Sequence, residues 1–277
     1  MNSTPPETLG KAATSAETRE FMTRLSGRGY AQFRHILVQL PDEGKPRASI
    51  LARMVTERRH RELLLYMLLV SCWPWLSQNR EPLPAGTWVR ALTAPGGVTW
   101  SSSTLSRSWK RLEELGLLEP RERDDRFVRV APRREDGADV YTAPGGREDR
   151  WNTYFVLPDE FWNEAIFADL SLPALAVLLV VAKETSYQKE CWFTYERMDD
   201  WYGLKPRTVQ TGVKILKDLG LLKAREEPIK AHLSATGMTI RTYYSLTGPF
   251  SHTSRLARQK LAKKEMEART SKTKSNA

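Results

Sequence analysis

The sequence predicts a mainly α-helical protein with small β-hairpins, an α+β chain in which one helical unit occurs twice before a basic tail. Three observations carry this expectation: a duplicated segment, apolar residues at helical spacing inside each copy, and the composition of a folded soluble chain. With 277 residues, 40% of them hydrophobic and 27% charged, the chain is long enough for roughly two domains, each with a core of its own. A mostly disordered chain and a membrane bundle both fit poorly. The apolar runs Leu63 to Leu76 and Leu170 to Ala182 are shorter than the roughly 20 residues of a bilayer span, and read as buried helices.

The duplication has two landmarks. Leu-Pro-Asp-Glu stands at Leu40 to Glu43 and again at Leu157 to Glu160, each time after an apolar run that alternates like a strand. TLSRSWKRLEELGLLEPRE, from Thr104, aligns without a gap on TVQTGVKILKDLGLLKARE, from Thr208. Nine of the 19 pairs are identical, among them Lys110 with Lys214, Leu112 with Leu216, and Gly116 with Gly220. The spacing between the landmarks is longer in the first copy, which places extra loop residues around Trp73 to Trp88.

Each copy is then read in the same order. An apolar helix (Arg61 to Trp73; Leu172 to Thr185) precedes a second helix (Gly86 to Thr93; Tyr195 to Tyr202) and a third. The third has apolar positions at helical spacing: Leu105, Trp109, Leu112 and Leu115 in copy one, and Val209, Val213, Leu216 and Leu219 in copy two. Ser101 suits the N-cap of the first, Pro206 the first turn of the second, and Gly116 and Gly220 the left-handed C-terminal position of each. A hairpin follows, turning at Asp124-Asp125 in copy one and through a longer loop containing Gly237 in copy two.

Three helices followed by a hairpin, with the segment Thr-x5-Lys-x-Leu-x2-Leu-Gly-Leu-Leu in both copies, resemble the winged helix-turn-helix family, over about Phe33–Pro132 and Trp151–Phe250. The resemblance implies two tandem winged helix-turn-helix domains. The arrangement is also similar to plasmid and phage replication initiators, which bind origin repeats. The expected organisation is an N-terminal arm over 1–30, partly disordered, winged-helix domains over 31–132 and 151–250, a linker over 133–150, and a basic tail over 251–277. The stretch Glu17 to Leu25 is a candidate for dimerisation or for a protein partner.

The resemblance assigns the third helix to the major groove of double-stranded DNA and the wing to a neighbouring groove or backbone. In copy one it implicates Ser103, Thr104, Arg107, Lys110 and Arg111, with Arg123 and Arg126 on the wing. In copy two it implicates Lys205, Arg207, Thr208, Gln210, Thr211 and Lys214, with Lys230 and Arg241 on the wing. Ser102, Ser106, Arg121, Arg129 and Arg225 extend these faces. Because Arg pairs bidentately with guanine and Gln with adenine, Arg107, Arg207 and Gln210 are the expected base readers, and the other residues serve mainly phosphates.

The net charge of +10 agrees with a polyanionic partner, and Ser251 to Ala277 alone carries five Lys and three Arg against two Glu. The rival reading keeps the helix faces as solvated surfaces, or as a scaffold for acidic proteins. No catalytic residue, cofactor or metal site is expected: four dispersed histidines and two cysteines lack metal-ligand spacing, and no phosphate-binding GxxxxGK[ST] loop is present. Cys72 and Cys191 lie in apolar runs and read as reduced core thiols. The polar N-terminus has no apolar secretory stretch and points to a cytoplasmic protein, and the resemblance implies a transcriptional regulator or replication initiator at the nucleoid, with no membrane contact.

Overall fold

The repeated helices form close to the bounds their apolar spacing sets. The computed structural model describes residues 12–41, 47–79, 81–124, 127–146 and 148–275. After helix α1 (Ser15–Leu25), strand β1 (Tyr30–Arg34) and helix α2 (Ile50–Thr56), the first half contains α3 (His60–Leu76), α4 (Ala85–Leu92) and α5 (Ser102–Glu114), then the short hairpin β2 (Glu122–Asp124) and β3 (Phe127–Arg129). The second half opens with β4 (Tyr154–Pro158), α6 (Glu160–Asn163) and α7 (Ile166–Asp169). It continues with α8 (Leu172–Glu184), β5 (Cys191–Trp192), α9 (Tyr195–Tyr202) and α10 (Pro206–Asp218), and with the long hairpin β6 (Leu222–Lys230) and β7 (Met238–Leu246). Helix α11 (His252–Ser275) ends the described residues. Gly116 and Gly220 take φ of +74° and +68° at the ends of α5 and α10, the left-handed turn that lets the chain leave a helix towards a strand.

The halves are joined by a strand pair. β1 and β4 run antiparallel, with Tyr30 opposite Pro158 and Arg34 opposite Tyr154. The strand expected before the first Leu-Pro-Asp-Glu is therefore misplaced: β1 lies upstream, and His35–Leu37 turn in a 3-10 helix. Tertiary pairing with β4 selects which residues are extended, whereas the second copy of the landmark does end a strand. Asp42 and Glu43 lie outside the described residues. In the second half, β5, β7 and β6 form one three-stranded sheet with β7 in the middle.

One apolar core runs through both halves, from Leu63–Val70 of α3 to Ala174–Ala182 of α8, so the two separate cores expected from length merge. Cys72 and Cys191 are buried and free. Of the tryptophans expected in cores, Trp88, Trp109 and Trp162 are buried, while Trp73, Trp75, Trp192 and Trp201 are half-exposed.

The arm, the linker and the tail are all docked on the core. The arm holds α1, begun by a capping box between Thr14 and Glu17. Its buried Arg19 donates to the carbonyls of Ala91 (3.3 Å) and Thr93 (2.9 Å) at the end of α4, and its Thr23 hydroxyl donates to Asn163 on α6. Residues 1–11 of the arm lie outside the described residues. The linker contributes Glu135, which pairs with Arg34 at 2.9 Å where both side chains are fully buried. The tail forms α11, docked by Arg255, which donates to the orphan carbonyls of Ala182 (2.7 Å) and Thr185 (2.9 Å) at the end of α8.

Two histidines record this packing. Burial, with Lys183 beside it, holds His35 down to about 4, and burial, with Arg61 nearby, does the same for His60. Both rings are neutral in the fold at pH 7, whereas in the unfolded chain they take up protons near 6.5. Their contribution to stability is full above pH 6.5 and is lost as the pH falls towards 4. Urea unfolding at pH 7.5, 6.0 and 5.0 should show this decline, and His35→Gln with His60→Gln should flatten it. An unchanged slope would mean that the folded protein protonates both rings at their ordinary values.

Candidate nucleic-acid interface

The second half presents α10 as an amphipathic helix seated on α8. Val209, Gly212, Val213 and Leu216 are buried, and the helices approach so closely that a Cβ on Gly212 would lie 2.4 Å from the Pro173 carbonyl oxygen. The opposite face carries Arg207, Gln210, Thr211, Lys214 and Lys217, all exposed. At i, i+3, i+7 and i+10, the side chains of Arg207, Gln210, Lys214 and Lys217 form one stripe. None of these four side chains is engaged by a hydrogen bond or ion pair among the described residues, so their donors face solvent.

The turn before α10 is held by the other half of the molecule. Gly203 takes φ +66° between α9 and α10, and a Cβ there would meet those of Ala48 and Ala52 at 2.9 Å. Gln39 donates through its side-chain nitrogen to the Trp201 carbonyl at 3.0 Å. The first half thus fixes the angle at which the second presents its third helix.

Several expected contacts have internal duties. Lys205 is ion-paired with Asp199 at 2.9 Å, the Thr211 hydroxyl donates to the Arg207 carbonyl, and Thr208 is only half-exposed. Arg241 lies over the Trp192 ring, 4.2 Å from its centroid. Arg197, which sequence reading passed over, also lies over this ring, at 4.8 Å. Nothing in the local sequence marks Arg197, because the sheet and α9 converge on Trp192 only in three dimensions. Arg225 is held by Glu190 and Glu227 at 2.9 and 2.6 Å, and its hydrogen bonds keep the Glu190 carboxyl below its ordinary range. Lys230 is exposed at the far end of β6.

In the first half, α5 exposes Ser102, Ser103, Ser106, Arg107 and Lys110, and buries Leu105, Ser108, Trp109 and Leu112. Thr104 is committed to the helix cap: its hydroxyl accepts from the Ser101 N–H at 2.7 Å. Arg111 pairs at 3.1 Å with the buried carboxylate of Glu62, which also accepts from Ser108. Removing Arg111 would leave that carboxylate without its cation, so the residue answers to the core as well as to any ligand. Arg121 clamps Glu113 in two hydrogen bonds. Arg129 is exposed. Arg126 and the turn residue Asp125 lie outside the described residues, and Arg123 belongs to β2. The Ser103 hydroxyl is hydrogen-bonded to that of Ser101 at 3.0 Å, and Arg107 donates through Nε to the Ser103 carbonyl at 3.4 Å. The face of α5 that the first half presents is therefore more engaged with itself than that of α10.

No helix among the described residues is long and apolar enough to cross a membrane. A family model described as a helix-turn-helix domain matches residues 168–222, from the end of α7 through α8, α9 and α10 to the first residue of β6. This match supports DNA as the partner of the segment that carries the denser polar stripe. Comparison with curated proteins and with solved structures gives no match.

Proposed function

We propose that the chain is a sequence-specific double-stranded-DNA-binding protein that regulates transcription through two winged helix-turn-helix units, with the second unit the principal reader. The observation that carries this reading is the unpaired stripe of Arg207, Gln210 and Lys214 on a helix whose opposite face is locked into the core. Arg207 and Gln210 have the donors for guanine and adenine edges, and Lys214 is a point charge for phosphate. On this reading the protein has no catalytic step and works at the nucleoid in the cytoplasm. A replication initiator that binds origin repeats is the second reading. It is favoured by the internal repeat, whose two third helices are held in one body by the β1–β4 pair.

Selection of bound sequences from a random duplex library tests the proposal, at about 150 mM salt where screening acts over about 8 Å. Wild type should return a defined motif that Arg207→Ala with Gln210→Ala loses, each good base contact contributing about 1–3 kcal/mol of discrimination. Lys214→Ala should weaken binding evenly across sequences and reduce the salt slope by about 1. If no motif emerges and binding merely fades with salt, the basic surface is a general polyanion binder and sequence reading is refuted. Recurrence of the motif at promoters or at an origin separates the two roles.

A further inference from the structure

The two hairpins differ in length and in what they expose. β2 and β3 have three residues each, whereas β6 and β7 have nine each, about 30 Å at 3.3 Å per residue. At the end of the long hairpin Leu233 is completely exposed, and Met238 and Ile240 on β7 are more than half exposed or close to it. Met238 lies opposite Lys230, and Ile240 opposite Pro228, so these four share one face of the hairpin. From Pro228 to Ile240 the chain has no acidic residue and includes Lys230 and His232. The wing's carboxylates, Glu226 and Glu227, stay nearer its base.

The tip is ordered by its own hydrogen bonds. The Ala231 N–H donates to the Gly237 carbonyl at 2.8 Å, and the Gly237 N–H to the Ser234 carbonyl at 3.1 Å. The hydroxyls of Ser234 and Thr236 both donate to the Met238 carbonyl, at 2.9 and 3.0 Å. A closed loop thus holds Leu233 fully in solvent, at the same end of the hairpin as the exposed Met238 and Ile240. Single exposed apolar residues are ordinary on soluble proteins, but a cluster on a projecting tip marks a binding surface.

We infer that this tip is an apolar wedge, with Leu233 foremost, that enters the minor groove of the duplex read by α10, unstacks a base step and bends the DNA. The inference rests on the reading of α10 as the major-groove helix. Apolar side chains inserted from the minor groove kink DNA in this way, with cationic neighbours holding the phosphates on either side. The reach is sufficient, since the next minor groove lies about half a helical turn away, roughly 17 Å of a 34 Å repeat. An acid-free, cationic rim suits phosphate. Extension of the sheet through β6 by a second copy is disfavoured, because that edge strand is interrupted by Pro228, which has no N–H to offer.

The test uses the full chain and a 40-base-pair duplex centred on the motif recovered by selection, labelled for energy transfer between its ends and carrying 2-aminopurine at successive flanking positions. Wild type should bend this duplex by several tens of degrees and brighten the probe severalfold at one step. Leu233→Ala should lose more than half of both signals while keeping the selected motif, and Leu233→Met should retain them. A straight wild-type complex, or equal bending by Leu233→Ala, overturns the wedge and leaves the reading of α10 intact. Light scattering adds another overturning outcome: a wild-type dimer that Leu233→Ala converts to monomer assigns the tip to self-association. Failure of wild type to bind any duplex selectively overturns the wedge and the underlying reading together.

Discussion

Gly212→Ala is expected to lower stability by about 3 kcal/mol and to displace the helix that carries the polar stripe. In an ordinary exposed helix this change would be favourable by about 1 kcal/mol, because glycine is the more flexible residue in the unfolded chain. Here the added Cβ would lie 2.4 Å from the Pro173 carbonyl oxygen, 2.9 Å from its carbon and 2.7 Å from Val177 Cγ2. Two of those atoms are backbone in the first turn of α8, so no side-chain rotation relieves the clash. At about 2–4 °C per kcal/mol, the melting temperature should fall by roughly 6–12 °C. Gly86→Ala is the control: Gly86 lies in the first turn of α4 with open space around its Cα, and its replacement should leave stability unchanged or slightly raised. Calorimetry of the two variants checks the pair. If Gly212→Ala melts like wild type, α8 and α10 are not in the close contact described, and the angle of the stripe is set by something else.

Arg34→Met should cost about 3–5 kcal/mol, the effect of leaving one member of a buried ion pair uncompensated. Arg34 ends β1, and its guanidinium donates to Glu135 at 2.9 Å, to the Thr142 carbonyl at 2.8 Å and to Asn152 at 2.9 Å. It also lies over the Tyr141 ring. One side chain therefore ties the connection between the halves to the strand that pairs them. Glu135→Leu alone should be comparably harmful, and the double variant Arg34→Met with Glu135→Leu should recover a large part of the loss, since neither charge is then stranded. Denaturant unfolding gives the three values. Limited proteolysis adds the location: in Arg34→Met, cleavage should appear between Arg133 and Arg150 before the rest of the chain is cut. If the single and double variants lose the same stability, the pair is not coupled, and Arg34 acts through its other partners.

Local patterns and long-range pairings explain which features were legible in the sequence. The helices were legible because their signals lie within a few residues of one another. Leu105, Trp109 and Leu112, or Val209, Val213 and Leu216, occupy one helical face in any surroundings, and Ser101, Pro206, Gly116 and Gly220 mark ends by local backbone chemistry. The candidate stripe followed from the same periodicity, since burying one face of α10 leaves Arg207, Gln210 and Lys214 on the other. The repeat also carried the likeness of the halves in helix order and hairpin position.

What the sequence determined by itself is thus the three helices of each repeat, the glycine turns that end the third, and its polar face, all products of interactions a few residues apart, whereas α2, α6 and α7 were not legible. The tertiary structure alone decided that β1 pairs with β4 across 124 positions, that Glu135 and Arg255 are buried anchors, and which basic side chains remain free. Lys205, Arg111, Arg225 and Arg241 look in sequence like Arg207 and Lys214, yet each is held by a carboxylate or ring. The physical reason is that a charge is available to a ligand only where no internal partner lies within a few ångströms, and partners from distant segments are chosen by packing rather than by periodicity.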